Sequence, residues 1–225
     1  MDYLPIEWLG DRVKILDQTR LPQEEVYLEL DRHQDMASAI IELKIRGAPA
    51  IGVAAAYAVV LGALKIETGS EDEFQEKFRE IVDTIAVTRP TARNLFRAIE
   101  RMVRVAEAGG EVESIKKALV QEADKIHAEE AAATVKLSRF GAELVQPGST
   151  ILTHCNTGPL ATTGYGTALG VIKLAYEQDK KITVFATEAR PLLQGARLTA
   201  WELKKAGIHF KLITDSMAGY FISRG

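Results

Sequence analysis

Hydrophobic and polar positions change their period once along this chain. From His33 to about Leu144 the apolar residues recur at helical spacing. Met36, Ala39, Ile40 and Leu43 fall at i, i+3, i+4 and i+7. The same period predicts helices over 49–65, 73–86 and 91–106, and a long amphipathic stretch over 115–144 with room for a break. Thr68-Gly69-Ser70 and Ala108-Gly109-Gly110 separate these as loops. Upstream, 13–16 and 26–30 read as short strands around a turn at Pro22. At Gln146-Pro147-Gly148-Ser149 the pattern switches. Residues 150–154, 181–187 and 209–214 read as strands, with helices over 166–178 and 198–206 between them, and Asp215 opens a last helical turn. Alternating strands and helices predict a parallel sheet. The expected fold class is α/β: a mainly helical N-terminal domain with a small β-hairpin over 1–145, then a Rossmann-like parallel α/β domain over 146–225. Three strands are few for a parallel sheet, so the second domain reads as unusually small or truncated.

Composition narrows the class. The 225 residues are 47% apolar and 26% charged, which is ordinary for a globular chain. A net charge of −3 and a pI near 5.9 argue against a nucleic-acid or anionic-membrane surface. The most apolar run, 48–64, is about as long as the shortest membrane span. It is rich in Ala and Gly, with Arg46 and Lys65 close by, and reads as a buried helix. Four scattered histidines and one cysteine make no metal-ligand cluster and no internal disulfide. The first residues, Met1-Asp2-Tyr3-Leu4-Pro5, lack the basic and apolar regions of a signal peptide, so a cytoplasmic location is expected.

In open α/β sheets ligands collect beyond the carboxyl ends of the strands. That edge should carry His154-Cys155-Asn156, Glu188-Ala189-Arg190 and Asp215-Ser216. Cys155 is the sharpest candidate. It precedes Asn156, Thr157, Gly158 and Pro159, and proline suits the first position of a helix. A thiol facing a helix N-terminus is a better base or nucleophile. The bland alternative is a small buried hydrophobe. Strand alternation would point His154 away from Cys155 and make it a core or supporting residue. Gly164, Gly166 and Gly170 imitate a dinucleotide fingerprint with one residue too many, so close helix packing is the better reading. Arg46-Gly47-Ala48 and Arg89 stand at helix entrances. Free N–H groups there and a guanidinium fork suit an oxyanion. The bland alternative is a solvated arginine at a cap. Gln194-Gly195 opens a further helix and could bond a sugar hydroxyl.

Longer motifs carry a family resemblance. They are Ile6-Glu7-Trp8, the run Ile15 to Pro22, Ile45-Arg46-Gly47-Ala48-Pro49-Ala50-Ile51-Gly52, Thr88-Arg89-Pro90-Thr91-Ala92, His154-Cys155-Asn156-Thr157-Gly158, and Glu188-Ala189-Arg190-Pro191 through Arg197. Together and in this order they resemble the methylthioribose-1-phosphate isomerase family, which is shared with regulatory subunits of translation initiation factor 2B and with ribose-1,5-bisphosphate isomerase. The resemblance implies a helical domain followed by a Rossmann-like one. It implies conversion of 5-methylthioribose 1-phosphate to 5-methylthioribulose 1-phosphate in methionine salvage. It implies Cys155 as the catalytic thiol, with Arg46, Gly47, Ala48, Arg89 and Gln194 binding the phosphorylated pentose. A homodimer is implied, and neither a metal nor an organic cofactor.

One departure is expected. The family's general acid is an aspartate in a Gly-Ala-Asp-Arg-Ile motif, followed by an Asn-Lys pair, and neither occurs in these residues. On that reading the chain lacks the C-terminal third and its 225 residues are inactive alone. Asp215 matches a Thr-Asp-Ser-Met segment upstream of that motif and does not replace the acid. A ribose-1,5-bisphosphate isomerase and a non-enzymatic regulatory subunit are the alternatives. Cys155, Arg46 and Arg89 together favour the enzyme over the regulatory subunit. Ile6-Glu7-Trp8 and Leu16 to Thr19 favour the methylthio sugar over the bisphosphate.

Overall fold

The computed structural model describes residues 3–224. Met1, Asp2 and Gly225 lie outside the described residues, and with them the outer ends of both expected domains and the start of the segment read as lacking a signal peptide. Contacts divide the chain into two compact units, 4–19 with 26–130 and 3 with 20–25 and 131–224.

The first unit opens with an antiparallel sheet of β1 (Ile6–Trp8), β2 (Val13–Leu16) and β3 (Tyr27–Leu30), in that order. Ile6 lies opposite Ile15 and Val13 opposite Leu30. β1 is absent from the sequence expectation because three residues are too few to display a period. Helices α1 (His33–Ile41), α2 (Ala48–Leu64), α3 (Glu71–Ala86), α4 (Arg93–Glu107) and α5 (Val112–Leu144) follow. Leu43 does not continue the helical pattern. It stands past the end of α1 with φ of 62°.

α2 is the core of this unit. Every residue from Ala50 to Ala63 is buried, as expected for a helix apolar on all sides. Its small residues let neighbours approach. A Cβ on Gly62 would meet the Ile81 side chain of α3, and one on Gly52 would stand 3.0 Å from the Asn94 carbonyl of α4. Phe74, Phe78 and Ile85 of α3 and Leu95 and Met102 of α4 complete the core. Among the described residues no helix is long and apolar enough to cross a membrane. The N-terminal motif also acquires a reason. Trp8 stacks on Tyr57 of α2 with ring centroids 5.4 Å apart. The buried Tyr57 hydroxyl bonds Asp124 of α5 at 3.0 Å.

The second unit holds a parallel sheet of β4 (Thr150–Thr153), β5 (Thr183–Thr187) and β6 (Phe210–Ile213), in that order, with Thr153 level with Ala186 and Thr187 level with Ile213. Between β4 and β5 lie the single turn α6 (Pro159–Thr162) and α7 (Ala168–Glu177). Between β5 and β6 a π-helical turn, Gly195–Thr199, runs into α8 (Ala200–Lys205). A 3₁₀ turn, Asp215–Met217, and α9 (Ala218–Ile222) end the described chain.

The division at 130/131 falls inside α5, upstream of the change of pattern at 146. α5 is unbroken, and its last turns pack on the parallel-sheet region. The Thr134 hydroxyl accepts the Tyr165 N–H at 3.0 Å, and the Ser138 hydroxyl donates to the Gly166 carbonyl at 3.2 Å. Helical period reports that a face is buried and not against what, so the division had no signal in the sequence. Residues 20–25 join the same unit through the Arg197 guanidinium, which donates to the Leu21 carbonyl at 2.9 Å, and through Lys205–Glu25 at 2.7 Å. The glycines Gly164 and Gly170 serve packing, as expected. A Cβ on Gly164 would run into Thr134 and Ala131, and one on Gly170 into Ser138.

Candidate active site

Three connected loops follow the three parallel strands. After β4 the chain turns sharply, and Cys155 takes φ of 63°. A non-glycine residue in this left-handed region costs about 1–2 kcal/mol and needs support from its surroundings. The support is visible. The Thr199 hydroxyl donates to the Cys155 carbonyl at 2.5 Å. Asn156 is buried, and its Nδ2 donates to Thr199 Oγ1 at 3.3 Å and to the carboxylate of Glu202. Glu202 Oε1 accepts the Tyr3 hydroxyl at 2.7 Å and the Leu160 N–H at 2.9 Å. Burial pushes the Glu202 carboxyl above the usual range, and these donors pull against that. Gly158 is required here because a Cβ would collide with Glu202 and Leu169.

Two sequence expectations change. α6 is one turn long, so the aligned dipole invoked for Cys155 is small, and its setting comes from side chains instead. His154 is neither in a strand nor in the core. β4 ends at Thr153, so the pleat does not apply, and the His154 side chain is 67% exposed.

His154, Thr187 and Asp215 link the three strand ends. His154 Nδ1 lies 2.6 Å from Thr187 Oγ1 and 3.9 Å from Asp215 Oδ1. The nearby Thr187 hydroxyl helps to hold the Asp215 carboxyl low. Asp215 accepts the N–H groups of Arg190 and Ala189 at 2.8 Å each, and these hold its carboxyl below the usual carboxylate range. An acid that donates protons near neutrality needs the opposite shift. Asp215 therefore braces the loop after β5, where Ala189 and Leu193 both have positive φ.

Gln194 caps the π-helical turn and is half-buried. That turn carries Thr199 and leads to Glu202, so the element beginning at Gln194 also holds Cys155. π-Helical turns recur at functional sites. Glu202, Thr199 and Thr187 were not singled out from sequence, since a Glu and two Thr in ordinary helix and strand patterns carry no local signal.

The first unit places the arginine motifs. Gly47 caps α2 with φ of 95° and ψ of 131°, a conformation that needs glycine. Ala48 and Pro49 begin the helix, and Arg46 is half-buried beside them. Arg89 lies in the turn before α4, four residues ahead of the helix rather than at its first turn. The N-terminal turns of α2 and α4 meet at Gly52 and Asn94. The two motifs thus flank neighbouring helix N-termini within one unit, an arrangement suited to an oxyanion. Among the described residues no group of three or more His, Cys, Asp or Glu is arranged to hold a metal ion.

Fold and site together define a class. The profile of the Initiation factor 2 subunit family matches residues 44–224, and the chain belongs to that family. Among its relatives, a methylthioribose-1-phosphate isomerase from Dehalococcoides mccartyi (strain CBDB1) is 62% identical over 220 residues, covering 98% of this chain and 66% of the relative. The solved 5-methylthioribose 1-phosphate isomerase from Pyrococcus horikoshii OT3 superposes with a TM-score of 0.91 at 36% identity, covering 99% of this chain and 63% of that one. The structure titled translation initiation factor eIF-2B, subunit delta, from A. fulgidus superposes with a TM-score of 0.88 at 44% identity, covering 100% and 66%. The chain thus spans 66% of the length of the D. mccartyi relative.

Proposed function

We propose that this chain belongs to an aldose–ketose isomerase that converts 5-methylthioribose 1-phosphate to 5-methylthioribulose 1-phosphate in methionine salvage. The observation that carries the reading is the built setting of Cys155: a thiol at a strand end, in a left-handed conformation, fastened by Thr199, Asn156 and Glu202. A regulatory subunit has no need of a strained, braced thiol. The 62% identity to a methylthioribose-1-phosphate isomerase along 98% of the chain supports the same reading.

The reaction opens the bond between C1 and the ring oxygen, moves one hydrogen from C2 to C1, and takes the proton from the C2 hydroxyl as that carbon becomes a carbonyl. The ring oxygen gains a proton. Two groups of different acidity are therefore needed. In this reading Cys155 is one of them. Arg46, Gly47, Ala48 and Arg89 bind the phosphate, and Gln194 a sugar hydroxyl. The partner acid in this reading is the aspartate of the family's Gly-Ala-Asp-Arg-Ile motif, which does not occur in these residues. The protein acts as a cytoplasmic homodimer, with neither metal nor organic cofactor.

A second reading, a non-enzymatic initiation-factor subunit, is favoured by the 44% identity to the A. fulgidus structure. One assay separates the two. The full gene product carrying this sequence should form the ketose phosphate from 5-methylthioribose 1-phosphate, and Cys155→Ala should abolish turnover while still binding the sugar phosphate by calorimetry. Unchanged turnover in that variant sinks the catalytic assignment.

A further inference from the structure

We propose that Glu202 is the positioning residue for Cys155, acting through Asn156 and Thr199. The role of Cys155 in the reaction rests on the reading above, but the positioning itself does not. Glu202 is 2% exposed on α8, and all its described partners are donors on the segment around the thiol or at the N-terminus. Asn156 is the residue after Cys155. The Leu160 N–H belongs to the turn that closes the same loop. Gly158 lies so close that its missing side chain is the room Glu202 occupies.

The chain of donors runs one way. The Glu202 oxygen that faces Asn156 accepts, so Asn156 presents Nδ2 to it. That same Nδ2 also donates to Thr199 Oγ1. The Thr199 proton is then left for the Cys155 carbonyl. The accepting oxygen of Glu202 thus sets the orientation of the Asn156 amide, the amide decides where the Thr199 proton goes, and that proton pins the backbone of Cys155. Buried networks of this kind hold one conformation only while every member is satisfied.

Glu202→Gln keeps the shape and reverses the logic. Its amide can donate where the carboxylate accepted, which favours a flipped Asn156. The flipped Asn156 oxygen then competes for the Thr199 proton and releases the Cys155 carbonyl. Thr199→Val removes that proton outright, whereas Thr199→Ser keeps it.

Alkylation of Cys155 by iodoacetamide can be followed by mass spectrometry on the peptide that carries it, since no other cysteine occurs in these 225 residues. In Glu202→Gln and Thr199→Val the alkylation rate is expected to rise about fivefold or more as the half-buried thiol is released, and Thr199→Ser to stay near wild type. Cooperative melting well above the assay temperature shows which variants fold. If Glu202→Gln does not fold, the Val and Ser variants at Thr199 decide. Folded Glu202→Gln and Thr199→Val proteins that react at the wild-type rate or slower overturn the proposal, as does a Ser variant as fast as the Val variant. An unchanged turnover in Cys155→Ala would remove the isomerase reading and leave this result standing.

Discussion

A side chain cannot be placed on Gly195 without striking the carbonyl of Thr187. A Cβ there would collide with the Thr187 oxygen and carbon and approach the Glu188 backbone. The first residue of the π-helical turn is thus pressed directly on the end of β5. This close approach sets where the turn begins, and so where Thr199 and Glu202 fall relative to Cys155.

Gly195→Ala should therefore be among the most damaging single substitutions in this unit. The obstacle is backbone on both sides, so nothing flexible can give way. A loss of about 1–3 kcal/mol or more is expected, as for overpacking in a close-packed interior. Chemical denaturation measures it. A midpoint unchanged from wild type would show that the loop after β5 can shift freely.

Asp215 should make a pH-dependent contribution. The Arg190 and Ala189 N–H groups hold its carboxyl below the ordinary range. A lowered folded value means that its contribution is present above the unfolded value of about 3.9 and is lost as pH falls through the lower folded value. Asp215→Asn cannot accept both N–H groups with two carboxylate oxygens. The melting-temperature gap between wild type and Asp215→Asn should be fully open at pH 5–7 and should close as pH falls below about 4. A gap of constant size down to pH 2 would exclude an ionised brace.

Arg46→Ala should weaken sugar-phosphate binding about tenfold or more, the effect of losing a charge-assisted hydrogen bond. Arg46→Lys should recover only part of this, because an ammonium lacks the planar fork that matches phosphate oxygens. Titration calorimetry with the phosphorylated sugar reads both variants. Equal affinity in Arg46→Ala would remove Arg46 from the phosphate site.

Hydrophobic period along the chain was enough for most of the elements, the three-residue β1 apart, and for the edge on which the chemistry falls. Met36 and Ile40 announced a helix through their spacing, and the alternation after Gln146 announced the parallel sheet whose strand ends carry Cys155, Glu188 and Asp215. The all-apolar stretch of α2 was legible as a buried helix because Ala and Gly pack closely without demanding lipid. These are local signals, written within a few turns of chain. Contacts between distant segments supplied the rest. The last turns of α5 join the parallel sheet because Thr134 and Ser138 meet Tyr165 and Gly166, about thirty residues further on. His154 left the core because β4 stops one residue short of it. Glu202, an unremarked acidic residue in a helix pattern, became the buried acceptor beneath Cys155 because a tight glycine contact and the π-helical turn bring α8 under that loop. Period tells which face of an element is buried. Only the approach of distant segments tells which side chain lies beneath it.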